Sequence, residues 1–232
     1  MLVNGVDISN YKSRLMDREI SSSDFEVNNY WDNNLLEPII MNDERKTYKA
    51  LTMKIDILCK NADELEKMKS SLIKELQVST IKFDDITTKY KGFISDSPSY
   101  SYIAKGNEIM TVKMLVYSFD DEIEETLNKV SVKNINVKGN IIVPAILEVT
   151  PSINLIDLKI NGLSEDLIVL KNLRQGKKVI INGEDGTVIE EGINKFGDTD
   201  MWEFPRLKPG LNTVKVNANS CDITVKYKPR YM

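Results

Sequence analysis

From residue 131 to the end of the chain, apolar residues do not recur at the three- and four-residue steps of a helix. Short period-two runs follow one another instead: Lys133–Val137, Ala145–Thr150, Asp157–Ile160, Leu167–Leu170, Lys177–Ile181, Thr187–Glu190, Gly210–Ala218 and Asp222–Tyr227. Alternation over four to eight residues marks a strand with one buried face. Turn chemistry separates the runs, at Asn161-Gly162, at Gly183-Glu184-Asp185-Gly186 and at Lys208-Pro209-Gly210. About eight short strands in about a hundred residues is the pattern of an all-β sandwich or jelly roll.

The first half is built differently. In Ala50–Cys59, Leu51, Met53, Ile55, Ile57 and Cys59 face one way and Thr52, Lys54 and Asp56 the other. Asn61-Ala62-Asp63-Glu64 then has the form of a capping box, an N-cap residue with Glu at the third helical position. Leu65, Met68, Leu72 and Leu76 recur at helical steps, with Ile73 widening the stripe, which predicts a helix over about 62–77. Extended candidates follow at Thr80–Phe83, Lys89–Ile94, Ser99–Ala104 and Ile109–Phe119, punctuated by Gly92, Pro98 and Lys105-Gly106-Asn107. The expected fold class is therefore mainly β with one helix. Residues 1–130 form an α+β domain, an antiparallel sheet covered by the helix, and residues 131–232 form the sandwich, with the boundary near Lys129–Val132. Ser21–Lys49 is polar and too long for a structureless loop, so it reads as a hairpin or arm reaching away from the sheet.

Supply excludes much chemistry. The chain has no histidine, which removes Ser-His-Asp and Cys-His nucleophile systems and every His metal ligand. Its two cysteines, Cys59 and Cys221, form no CxxC pair and read as free, buried thiols. Neither a GxxxxGK[ST] loop nor a GxGxxG turn is present, so no cofactor is expected and no enzymatic role. Acidic pairs (Asp120-Asp121, Glu124-Glu125, Glu190-Glu191, and Asp198 with Asp200) read as solvated surface rather than as a glycosidase dyad. No apolar run approaches the roughly 20 residues of a membrane helix. The opening Met1-Leu2-Val3-Asn4-Gly5 lacks a basic stretch before an apolar one, so neither a membrane partner nor a signal peptide is expected.

Residues 1–130 hold 17 Lys and Arg against 23 Asp and Glu. That balance argues against a grip on nucleic-acid phosphates, and no sequence-specific nucleic-acid partner is expected. Arg174, Lys177 and Lys178 read as solvated surface beside a strand. Two tryptophans stand out. Trp202 reads as a half-buried aromatic closing one end of the sandwich or as a subunit contact, with a sugar-stacking platform as the alternative. Trp31, beside Tyr30 on the arm, reads as a partner anchor or a local staple.

The C-terminal stretch carries a family resemblance. Phe204, Pro205, Leu207, Pro209, Gly210 and Asn212 spell an FP-x-L-x-PG-x-N segment that leads into Asp222–Tyr227 and the terminus Lys228-Pro229-Arg230-Tyr231. This resembles the close of the distal tail protein (Dit) family of tailed bacteriophages. Pro144–Pro151 and Ile180–Gly186 fit that family's galectin-like second domain, and Val3-Asn4-Gly5-Val6-Asp7 with the strand–helix–strands order fits its tail-tube-like, ring-forming first domain. The resemblance implies a structural subunit of the virion tail tip or baseplate, made in the bacterial host cytoplasm. It implies a homo-oligomer, a hexameric ring joining the tail tube protein to the hub protein, with DNA passing through the centre and receptor-binding or side-fibre proteins as further partners. Tyr30 and Trp31 would lie on an inter-subunit arm. Galectin-type sugar sites lean on a histidine that this chain lacks, leaving Trp202 as the stacking candidate for the rival reading, a module that recognises cell-wall glycans.

Overall fold

Leu51, Met53, Ile55 and Ile57 are all fully buried, as their alternation predicts. They face the core on one side of an antiparallel sheet in the computed structural model, which describes residues 1–22, 25–26, 29–30, 34–37, 39–40, 45–46 and 48–232. The chain divides into two units, Met1–Phe119 with Met232, and Asp120–Tyr231.

The strands of the first unit are β1 (Leu2–Val3), β2 (Val6–Asp7), β3 (Ser13–Ile20), β4 (Lys49–Leu58), β5 (Val78–Lys82), β6 (Lys89–Ile94), β7 (Ser99–Ala104) and β8 (Asn107–Phe119). Their order across the sheet is β2-β1-β5-β6-β8-β4-β3, with β7 beside the first half of β8. Helix α1 (Ala62–Leu76) starts where the capping box predicts: the Asn61 side chain accepts from the Glu64 N–H at 2.9 Å. The Glu64 carboxylate reaches back to the Lys60 N–H, also at 2.9 Å. Leu65, Leu72 and Leu76 bury the helix against the sheet, with Met68 and Ile73 partly buried beside them. Lys69 sits among these apolar residues, held by Glu66 at 2.6 Å and Glu108 at 2.9 Å with the Tyr100 ring 4.2 Å from its ammonium. Burial alone would lower the pKa of that ammonium; the two carboxylates outweigh burial and raise it.

The second unit is a sandwich. Its strands are β9 (Ile123–Asn128), β10 (Val132–Val137), β11 (Val143–Pro151), β12 (Leu155–Asn161), β13 (Ile168–Leu173), β14 (Val179–Asn182), β15 (Thr187–Glu190), β16 (Gly210–Val216) and β17 (Cys221–Tyr227), with two-residue strands between them. One sheet runs β9-β17-β11-β14-β15 and the other β10-β16-β12-β13. The inward residues of both, among them Leu147, Val149, Val225, Leu158, Ile160 and Val214, form one continuous core. The unit begins at Asp120, ahead of the expected boundary at Lys129–Val132. The reason is β9: residues 120–128 fall before that boundary, yet the acidic run after Phe119 leads into a strand paired along its length with β17, and Leu127 within it is fully buried.

Cys59 and Cys221 are both free and buried. No helix among the described residues is long and apolar enough to cross a membrane.

Candidate assembly surfaces

β3 and β4 pair from Ser13 opposite Ile57 to Ile20 opposite Leu51. Beyond them the same register continues into the 21–49 segment, where Phe25 lies opposite Lys46 and Glu26 opposite Arg45. Further out, Asn29 lies opposite Ile40 and Tyr30 opposite Ile39. The described part of this segment is thus a hairpin that prolongs the β3–β4 ladder. It presents apolar side chains to solvent: Tyr30 is 54% exposed, Ile39 51% and Leu36 fully exposed. Trp31 lies outside the described residues. β3 pairs with β4 alone among the described residues, leaving its other edge open. β7 is exposed over all six of its residues, including Tyr102 and Ile103. Open strand edges beside exposed apolar groups are templates for pairing with another chain.

In the second unit the FP-x-L-x-PG-x-N residues hold a corner of the sandwich. Pro205 is buried and its carbonyl accepts from the Ala145 N–H at 2.9 Å. Phe204 packs on the core and stacks on Phe196, their ring centres 6.1 Å apart. Leu207 is fully buried and pairs with Val143. The turn that follows is closed by one side chain. Asn212 donates to the Lys208 carbonyl at 2.7 Å and the Gly210 carbonyl at 3.0 Å, and accepts from the Lys208 N–H at 3.0 Å. Gly210 has φ +85°, the left-handed region that a side chain disfavours, and Pro209 precedes it exposed on the turn. These residue types are therefore dictated by a backbone turn, and nothing about them points to a reaction.

Trp202 is 88% exposed, which corrects the half-buried reading. Met201 and Phe204 take the positions packed against the core, and Glu203 pairs with Arg206 at 2.7 Å, so the indole between them turns outward.

Glu190 departs from the solvated-surface reading of the acidic pairs. Its side chain is buried, bonded to Arg174 at 2.8 Å and Lys195 at 3.3 Å, and Lys195 also reaches Asp198 at 3.0 Å. Arg174 and Asp198, both read as solvated surface, thus belong to a network that ties β13, β15 and the 195–198 turn together. Burial alone would raise the Glu190 carboxyl; the Arg174 and Lys195 cations outweigh it and hold it below its ordinary value of 4.5. A depressed folded-state pKa contributes stability above the ordinary value and loses it as pH falls through the folded one. The expected result is that Glu190→Gln lowers stability by about 1.5 kcal/mol at neutral pH, and that its melting curve converges on that of the parent below pH 4.5. Thermal melts from neutral to acid pH check it; a gap that persists in acid refutes the assignment.

Among the described residues no group of three or more Cys, Asp or Glu converges as a metal site. Residues 138–231 match the family model of the siphovirus-type tail component, C-terminal domain. No curated protein sequence matches the chain. Among solved structures, the chain is similar to the SPP1 Dit protein, described as a paradigm of the hub adsorption apparatus in phages infecting Gram-positive bacteria. The TM-score is 0.78 at 10% identity, covering 100% of this chain and 98% of that one. It is also similar to a chain of the phage P2 baseplate in its activated conformation with calcium, at TM-score 0.59 and 11% identity over 97% of this chain and 94% of that one. The strontium form of that baseplate matches to the same extent. The distal tail resemblance and the mainly-β fold class read from the sequence both stand.

Proposed function

We propose that this chain, whose second unit matches the C-terminal domain of siphovirus-type tail components, is a structural distal tail subunit that closes into a hexameric ring and performs no reaction. The ring joins the tail tube protein to the hub protein, and DNA passes through its centre. The observation that carries the reading is the family match to the second domain, in a chain that shares the SPP1 Dit fold over its whole length. The geometry supports closure. The open edge of β3 and the hairpin continuing it offer each copy a strand for its neighbour, and heterologous contacts of this kind generate rings when the rotation closes. Residues 1–119 build the ring in this reading. The sandwich remains available to receptor-binding or side-fibre proteins.

Electron microscopy of the full chain, alone and mixed with the tube and hub proteins of the same particle, tests the proposal. Closed six-fold rings are expected; single copies in every mixture overturn it.

One observation favours a second reading, a glycan-binding module of the tail tip: Trp202 is almost fully exposed on the sandwich. Under it, Trp202→Ala removes binding to host cell-wall glycans on an array. Under the ring reading the parent chain binds none.

A further inference from the structure

A hollow of about 340 Å³, open to solvent, lies against the ion pairs of Glu190 in the second unit. Two of the groups lining it are buried: the side chains of Glu190 and Lys195 are 6% and 9% exposed. On the inner side the bonding is complete. The Lys195 ammonium spends its three N–H groups on the Asn172 carbonyl at 3.1 Å, Glu190 at 3.3 Å and Asp198 at 3.0 Å. Asn172 holds a left-handed backbone, φ +54°, and its side-chain amide also donates to Asp198 at 2.8 Å.

On the open side, hydrogen-bonding capacity remains. Arg174, 57% exposed, gives Nη2 and Nε to Glu190 and, among the described residues, leaves Nη1 free. Asn194 accepts from the Phe196 N–H through its side-chain oxygen, and its side-chain N–H groups have no partner among the described residues. Asp198, 37% exposed, accepts two bonds of the four or so an ionised carboxylate takes. It stays ionised, because the Asn172 amide first and Lys195 after it hold its carboxyl below the ordinary value.

Charge selects the ligand. Arg174 and Lys195 balance Glu190 and Asp198, so an anion meets the two carboxylates and a cation meets the two positive groups. A neutral molecule that both donates and accepts fits, and hydroxyl groups do both. Ile193, 70% exposed on the lining, adds an apolar surface beside them. Small-molecule sites have this character, a few convergent polar groups in a hollow of about 300–1,000 Å³. Gly197 keeps the hollow open. Its φ is not left-handed and a Cβ there meets nothing within 4 Å, so neither a turn nor a close approach requires glycine; a larger residue would occupy the space that Gly197 lines.

We propose that this hollow binds one ring of a neutral carbohydrate, its hydroxyls bonded to Arg174, Asn194 and Asp198 and its C–H face set against Ile193. Such binding rests on the glycan reading above, and the hollow supplies what an exposed indole lacks, a set of groups that distinguishes one arrangement of hydroxyls from another.

Saturation-transfer NMR of the full chain with glucose, galactose and N-acetylglucosamine, and with glycerol phosphate as a charged probe, tests the site. Binding of at least one sugar is expected, at a Kd of about 1 mM for a handful of hydrogen bonds, and none of glycerol phosphate. Gly197→Leu removes no hydrogen-bonding side chain and is expected to abolish sugar binding while the melting temperature stays that of the parent. Arg174→Gln is expected to weaken binding about tenfold; it also loosens Glu190, so the two variants are read together. No transfer to any sugar overturns the site and the glycan reading alike. Sugar binding that survives both variants but is lost in Trp202→Ala overturns the site and keeps the glycan reading. Glycerol phosphate binding in place of the sugars overturns the assignment of a neutral ligand.

Discussion

A chain in which residues 23–48 are replaced by Asn-Gly is expected to fold as well as its parent and to form no ring. Folding survives because the ladder is pinned below the cut. The Ser21 N–H donates to the Ala50 carbonyl at 2.9 Å, and the Ser21 hydroxyl accepts from the Ala50 N–H at 3.2 Å. Continuing that register sets Ser22 opposite Lys49, and a two-residue Asn-Gly turn matches the twist of two such strands. None of the buried core residues of the first unit comes from the described part of the excised segment. Tyr48, which meets Phe93 edge-on with ring centres 5.8 Å apart, is itself half exposed. Stability should therefore change by no more than about 0.5 kcal/mol. Assembly should fail completely, because the excised hairpin carries Tyr30, Leu36 and Ile39, apolar groups exposed in the single chain and suited to burial against a neighbouring copy. Light scattering and electron microscopy with the tube and hub proteins read the outcome. Closed rings from the shortened chain would show that the hairpin is not the inter-subunit contact.

How far the sequence anticipates these features depends on whether a feature is local. The Asn61–Glu64 cap announces α1 because a cap is made within one turn of chain. The FP-x-L-x-PG-x-N segment is legible for the same reason: Asn212 closes a turn over residues 208–210, so the types required lie next to one another. What stayed hidden depends on partners distant in sequence. Glu190 beside Glu191 reads as surface until β13 brings Arg174 to it. Lys69 breaks an apolar stripe until Glu108, on a strand 39 residues away, supplies its counter-charge. β9 falls on the wrong side of the expected boundary because its burial comes from β17 at the far end of the unit.

Gly92→Ala is expected to undo the first unit while leaving the sandwich folded. Gly92 lies inside β6, as the extended candidate Lys89–Ile94 expects, and is buried between the exposed Lys91 and Phe93. A Cβ at this position would stand 1.9 Å from the Leu115 carbonyl oxygen, 2.7 Å from the Val116 Cα and 2.8 Å from the Leu115 carbonyl carbon. All three are backbone atoms of β8, so no side-chain rotation relieves the overlap. β8 cannot retreat, because its other edge is paired with β4 from Asn107 opposite Leu58 to Val116 opposite Lys49. β6 must therefore pull away, and it links β8 to β5. In an ordinary strand interior Gly→Ala gains roughly 0.5–1 kcal/mol; here the sign reverses and the cost should be about 3 kcal/mol or more. Hydrogen exchange locates the damage: amides of β5, β6 and β8 lose protection while those of β11 and β17 keep theirs. Gly197→Ala is the control, since a Cβ there meets open space and its φ is not in the left-handed region. If Gly92→Ala unfolds at the same denaturant concentration as Gly197→Ala, the close approach of β6 to β8 does not exist.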